Sequence, residues 1–268
     1  MSAIPAARVI LTSLHLYPVK GARALDCTRA RTSSHGLEFD REWMLIDGRG
    51  QFLTQRSDPT LALLTALPSA TGVHLSHPNA GDTIVLRPDP FASTPVTRRV
   101  TIWKREQLAY DAGDLAAQFV SAIVGRPARL MAASSATFPD GYPLLVCTRA
   151  SLEDLNRRMG MALPMNRFRP NLVIDGVAAW DEDRISSLQI GSVEVRFVKA
   201  CTRCVVTRID QATGRAAEDP LPTLRSFRFD ETLRGVTFGY NARISRGAGE
   251  ELRVGDEVSV RWRDEATS

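Results

Sequence analysis

The pattern of apolar and polar positions favours strands over the first third of the chain. Residues 9–16 are rich in β-formers and stop at Tyr17-Pro18. Residues 43–47 and 51–55 flank Gly48-Arg49-Gly50 and predict a hairpin around a glycine-bearing turn. Segments 83–87 and 98–103 predict two more strands, and Pro88, Pro90 and Pro95 between them break any helix. Helical signals are few. Asp114 is placed to cap a helix over 115–124 that Gly125 ends. Ser151 is placed to cap a second over 152–159, with Arg157 and Arg158 at its negative end and Gly160 as its stop. Beyond residue 170 the pattern returns to strands at 171–175, 192–198, 205–209 and 257–262.

Short strands spaced by turns, with few helices, predict a mainly β fold with an α+β minority. We expect an N-terminal β-barrel-like domain over 1–120 and a second β-barrel domain over 121–268, joined within 111–140. Neither a repeat period nor a low-complexity segment interrupts the pattern.

Composition narrows the class. Hydrophobic residues make up 44% and charged residues 24%, which fits an ordinary globular chain. The net charge of +4 is too small for a general polyanion surface, so no nucleic-acid partner and no membrane partner is expected. Neither a signal-peptide pattern nor an apolar run of membrane-spanning length is visible. Four cysteines in 268 residues exclude a disulfide scaffold and suit a reducing compartment, so the expected location is the cytoplasm. Only three of the 34 basic residues are lysines, Lys20, Lys104 and Lys199, which makes each worth inspecting.

Several chemistries are excluded by missing motifs. The chain has no phosphate-binding GxxxxGK[ST] loop, no GxGxxG after a strand, no GxSxG elbow, no HExxH helix and no ferredoxin-type cysteine spacing. A pyridoxal-phosphate enzyme is not favoured, because no lysine has a clear Schiff-base context. The sharpest local feature is Lys199-Ala200-Cys201-Thr202-Arg203-Cys204, directly after a predicted strand. Four readings stay open for it. It could form a zinc site with His74 and His77, a redox CxxC or a pair of buried thiols. Alternatively, a single soft thiolate could ligate a transition metal. Three other motifs bear on the choice. Pro18-Val19-Lys20-Gly21, Asp40-Arg41-Glu42-Trp43 and Asn166-Arg167-Phe168-Arg169-Pro170-Asn171 each place a cation at a strand edge, as an anionic cofactor would require. Asn171 is equally suited to capping a turn.

Taken in order, the stretches YPVKG (17–21), LEFDREWMLID (37–47), GQFLTQRSDPTLALL (50–64), SLEDLN (151–156), NRFRPNLVIDG (166–176), ACTRCVVTRIDQATG (200–214), DPLPTL (219–224) and FGYNA (238–242) resemble the MOSC family with its N-terminal β-barrel companion. The pairing is similar to YcbX-type and amidoxime-reducing component-like proteins. The resemblance implies a MOSC N-terminal β-barrel domain over 1–120 and a MOSC domain over 121–268. It also implies a molybdopterin cofactor (Mo-molybdenum cofactor) whose metal takes one protein thiolate, by motif position Cys204, the residue expected to carry the catalysis. Lys20, Arg41 and Arg169 fall on positions that bind the pterin and its phosphate. Asn171, Thr202 and Arg203 fall on positions lining the same pocket. Gly21, Gly141, Tyr142 and Thr148 match cofactor-side positions. At Gly21 and Gly141-Tyr142 the hydroxyl side chains of the amidoxime-reducing relatives are absent, which leaves backbone contacts.

The implied function is a molybdenum oxidoreductase that reduces N-hydroxylated compounds (hydroxylamines, amidoximes) by oxygen abstraction at molybdenum. With no flavin or iron–sulfur motif in the chain, electrons are expected from a separate reductase, ferredoxin or flavoprotein. The alternative is a cofactor or sulfur carrier without reductase turnover.

Overall fold

The computed structural model describes residues 8–91, 95–134 and 137–263. Two sheets dominate it. The larger has the strand order Val258–Trp262, Ile185–Ile190, Val193–Thr202, Gly235–Arg246, Leu144–Thr148, Leu172–Asp175, Ile10–Leu16 and Leu25–Cys27. The start of its first strand reaches the opposite edge: Val258 N–H donates to the Val9 carbonyl at 2.8 Å and Leu11 N–H to the Asp256 carbonyl at 3.0 Å, so the sheet closes on itself as a barrel. Leu144–Thr148 is buried at every position, as a central strand covered on both faces must be. It runs parallel to Leu172–Asp175, and the helix Arg149–Met159 makes the crossover that parallel pairing requires.

The second sheet has the order Thr97–Ile102, Arg105–Asp111, Ala128–Ala133, Trp43–Asp47 and Val19–Lys20. Helix α1 (Asp114–Val124) lies on it, burying Ala116, Phe119, Val120 and Ile123 in the core that holds Trp43 and Leu130. The first strand of the chain thus belongs to the barrel with the C-terminal half, while the segment just after it, Val19–Lys20, pairs with Trp43–Met44 in the other sheet. That switch of sheets carries Tyr17 to Gly21 across the seam between them.

The mainly β class with minor helices holds. Two local expectations change. Residues 205–209 do not form a strand: Val205–Arg208 is a 3-10 turn. Thr207 accounts for it, because its N–H and hydroxyl both donate to the Cys204 carbonyl, at 3.1 and 3.0 Å. The second helix, α2 (Arg149–Met159), starts earlier than expected, with Thr148 as its cap in place of Ser151. The Thr148 hydroxyl accepts from Ser151 N–H at 3.1 Å. Among the described residues no helix is long and apolar enough to cross a membrane.

Beneath α2 lies a buried acid. The Ser151 hydroxyl donates to Glu182 Oε2 at 2.7 Å, while Glu182 Oε1 is buried with no hydrogen-bond partner among the described residues. Burial, with help from Asp183, pushes this carboxyl above its usual range. Ionisation therefore opposes folding once pH exceeds the ordinary glutamate value of about 4.3. Glu182→Gln should match the wild type near pH 4 and become relatively more stable as pH rises, by about 1 kcal/mol or more at pH 8. Urea unfolding at both pH values checks this, and a difference that does not change with pH would sink it.

Candidate functional site

A cavity of about 370 Å³ sits at the seam between the sheets. Its lining includes Lys20, Gly21, Arg41, Gly141, Tyr142, Arg169, Thr202, Arg203 and Cys204, so most of the expected site residues meet in one place. Two do not line it. Thr148 is fully buried and caps α2. Asn171 is fully buried just behind the wall, where it works on Arg41.

Behind the cavity lies the fully buried Tyr17, the residue just after the first strand. Its hydroxyl donates to the Pro170 carbonyl at 2.9 Å and its N–H to Asp40 Oδ1 at 2.8 Å. Burial pushes the phenol well above its usual range. The guanidinium groups of Arg41 and Arg169 lie over its ring, 5.1 and 4.3 Å from the centroid. Arg41 is paired with Asp40 and also donates to Asn171 Oδ1 at 3.3 Å. Asn171 in turn donates to Asp40 Oδ1 and to the His15 carbonyl, both at 3.2 Å. Burial opposes the Arg41 charge, but the Asp40 carboxylate outweighs it and holds the guanidinium more firmly protonated than usual. Arg169 has no such partner among the described residues. It donates to Gln211 Oε1 at 3.3 Å, and burial lowers its proton affinity. Both arginines sit in the left-handed region, at φ 53° for Arg41 and 56° for Arg169. Such backbone costs on the order of 1–3 kcal/mol and gathers at binding sites.

Gly21 adopts φ +85°, a conformation open to glycine, and its carbonyl accepts from Gln55 Nε2 at 2.8 Å. Gln55 and Gln211 exchange amide hydrogen bonds at 3.1 and 2.9 Å and tie this turn to the far side of the cavity. Lys20 reaches Asp140 at 2.7 Å. Burial lowers the proton affinity of Lys20. Burial also works against the Asp140 charge, but Lys20 overrides it and brings that carboxyl to about 2. The Asp140 side chain is still 68% accessible, so the pair is screened by solvent.

The cysteine wall follows the long strand Val193–Thr202. Cys201 is the last residue but one of that strand, and Cys204 caps the start of the 3-10 turn. Arg203 donates to Cys201 Sγ at 3.1 Å and to the Phe168 carbonyl at 2.7 Å, while its Nε is buried without a partner among the described residues. Arg56 donates to Cys204 Sγ from Nε and Nη2, at 3.4 and 3.3 Å. The other two thiols are remote in chemistry: burial pushes both Cys147 and Cys27 up, and Cys147 is a fully buried core residue. His77 is buried and bonded to Thr60 at 3.1 Å, on the strand that also carries His74. Among the described residues no group of three or more His, Cys, Asp or Glu is arranged to hold a metal ion.

Sequence reasoning missed Arg56, Trp103, Asp140 and the Gln55–Gln211 pair, all of which belong to this site. Asp210, in contrast, only organises a turn, accepting from Thr213 and Ala212. The balance of charge is the site's main feature. Lys20, Arg41, Arg56, Arg169, Lys199 and Arg203 line the cavity against the single carboxylate of Asp140, with Asp40 behind. An anion is what this wall lacks. A phosphorylated cofactor with a soft metal open to one thiolate fits this donor set.

Residues 8–127 match the MOSC N-terminal beta barrel domain and residues 133–259 match the MOSC domain. Mitochondrial amidoxime-reducing component 1 of Mus musculus is 31% identical over 92% of this chain and 81% of its own length. Mitochondrial amidoxime reducing component 2 of Homo sapiens is 33% identical over 92% and 82%. The crystal structure of the YUAD protein from Bacillus subtilis covers 96% of this chain and 97% of its own at 9% identity, with a TM-score of 0.45, a likeness too loose to bear on function. The chain belongs to the MOSC family, in the form that joins a MOSC N-terminal beta barrel domain to a MOSC domain.

Proposed function

We propose that this protein binds a molybdenum-pterin cofactor and reduces N-hydroxylated compounds, amidoximes among them. The observation that carries the reading is the cavity in which cations in excess of the lining carboxylate Asp140 gather around the Cys204 thiol. Relatives named as amidoxime-reducing components supply the substrate class. Cys204 would give the protein's one ligand to the metal. Lys20, Arg41 and Arg169 would hold the phosphate, and Gly21, Gly141, Tyr142, Thr202 and Arg203 would line the pterin.

The reaction consumes two electrons and two protons: the N–O bond breaks, oxygen leaves as water and nitrogen gains hydrogen. The bound cofactor supplies the two-electron chemistry. A separate flavoprotein or ferredoxin-class reductase supplies the electrons. The chain's own residues do the positioning. Asp40 and Asn171 hold Arg41 against the Tyr17 ring, and the Gln55–Gln211 pair fixes Arg169. Asp140, at about 2, stays ionised at neutral pH and is no proton donor.

The test is metal and pterin analysis of protein made in a cofactor-competent host, with Cys204→Ala beside it. The wild type should hold molybdenum and reduce an aromatic amidoxime when a reductase is added, and Cys204→Ala should lose both metal and turnover. No molybdenum in the wild type, or equal content and turnover in both, would remove the reading. Bound cofactor or a Cys204 persulfide without turnover would replace it with the carrier function.

A further inference from the structure

Trp103 occupies an unusual place. Ile102 pairs with Arg105, so Trp103 and Lys104 form the two-residue tip of a hairpin. Trp103 has φ 56° and is 44% exposed. Tight hairpin tips favour glycine or asparagine in that conformation, so an aromatic there carries strain that burial does not repay. The ring lines the cavity instead. Its indole N–H donates to Asp140 at 3.2 Å, and its edge meets Phe52 at 5.0 Å. On it rests the Arg56 guanidinium, 4.4 Å from the ring centroid, with two N–H groups aimed at Cys204 Sγ. Arg56 has no carboxylate partner among the described residues, unlike Lys20 and Arg41.

We propose that Arg56 is the residue that contacts the substrate's N–O oxygen, and that Trp103 is a positioning residue acting through it. The inference rests on the reductase reading of the site. A guanidinium donates to the hydroxyl oxygen of a neutral amidoxime. The product amidine has lost that oxygen and is protonated at neutral pH, so the same unpaired cation repels it. One side chain therefore favours the neutral, oxygen-bearing reactant and expels the cationic product.

Binding can be read without turnover, on the loaded enzyme with no electron donor present, by calorimetry with benzamidoxime and benzamidine. Arg56→Gln should weaken benzamidoxime about tenfold, the worth of one good charged hydrogen bond. It should also tighten benzamidine about threefold, by relief of like-charge repulsion. Arg56→Lys should keep the discrimination against benzamidine. Trp103→Ala should show the same opposed pair of changes in smaller measure, with Trp103→Phe restoring the wild-type pattern. Molybdenum and pterin content should be unchanged throughout. A purely structural role would move both ligands in one direction, so a joint loss overturns the proposal. So does an absence of change, or a loss of cofactor from Arg56→Gln. A loaded wild type that neither binds nor reduces benzamidoxime defeats the reductase reading itself. A wild type that reduces it with Arg56→Gln unaltered defeats only this inference.

Discussion

Asp40→Ala should destabilise the protein by about 3–5 kcal/mol, the usual cost of stripping a buried charge of its partner. Three groups depend on that carboxylate. The Tyr17 N–H donates to it at 2.8 Å, Asn171 Nδ2 donates to it at 3.2 Å, and Arg41 is paired with it. The Asp40 side chain is 4% accessible and that of Arg41 14%, so water cannot take its place. Asp40→Asn should cost less, because an amide oxygen still accepts from Tyr17 and Asn171, although the charge is lost and an NH2 group replaces the oxygen that accepts from Arg41. Urea unfolding of the cofactor-free protein measures both. Inorganic phosphate should restore part of the lost stability in Asp40→Ala, since an anion in the cavity can neutralise Arg41 from the other side. A loss below about 1 kcal/mol would show that the Arg41 charge is solvated and that the wall is looser than described.

The elements that local pattern could specify were legible in the sequence. The strands at 10–16, 43–47 and 172–175 and the helices α1 and α2 with their glycine stops follow from periodicity and capping, whereas the helix Leu221–Arg228 went unread. Cys204, Lys20, Arg41 and Arg169 were legible because each sits in a motif with a strand edge beside it, and the structure gathers all four around one cavity. What stayed hidden depends on contacts between distant segments. Val205-Val206 reads as strand from its β-branched residues, yet the Thr207 carbonyl is held by Arg167 Nε at 2.6 Å, which stabilises the 3-10 turn. Thr148 reads as a pocket residue, yet its hydroxyl is committed to Ser151 and Glu182. Trp103 reads as the end of a strand, and nothing in 98–103 indicates that it meets Arg56. The three lysines are the reverse case. Rare in the sequence, Lys20 and Lys199 both line the cavity, and Lys104 shares the hairpin tip with Trp103.

The same electrostatics predict a substitution whose two effects have opposite signs. Arg169 is a half-buried cation with no carboxylate paired with it among the described residues, held by Gln211 and the Tyr17 ring, and with Arg41 as a like-charged neighbour. Burial lowers its proton affinity, which means that folding disfavours its charge. A base shifted downward in the fold costs stability at every pH below its folded value, so neutral pH gives no relief. Arg169→Met removes the charge, keeps much of the side-chain bulk and leaves the φ 56° backbone strain common to both proteins. The cofactor-free variant should therefore be more stable than the wild type, by about 1 kcal/mol. Its affinity for inorganic pyrophosphate should fall about 10- to 100-fold, since a charged hydrogen bond to an anion contributes about 1.5–3 kcal/mol. Lys20→Met is the companion variant. It should weaken the anion similarly at little cost to stability, because Asp140 is left accessible to water. Thermal unfolding with and without pyrophosphate reads both quantities in one experiment. If Arg169→Met lowers stability and leaves pyrophosphate binding intact, Arg169 is a packing residue of the Tyr17 wall. A gain in stability with a loss of anion affinity identifies it as a charge held against the preference of the fold, for a ligand that supplies the missing negative partner.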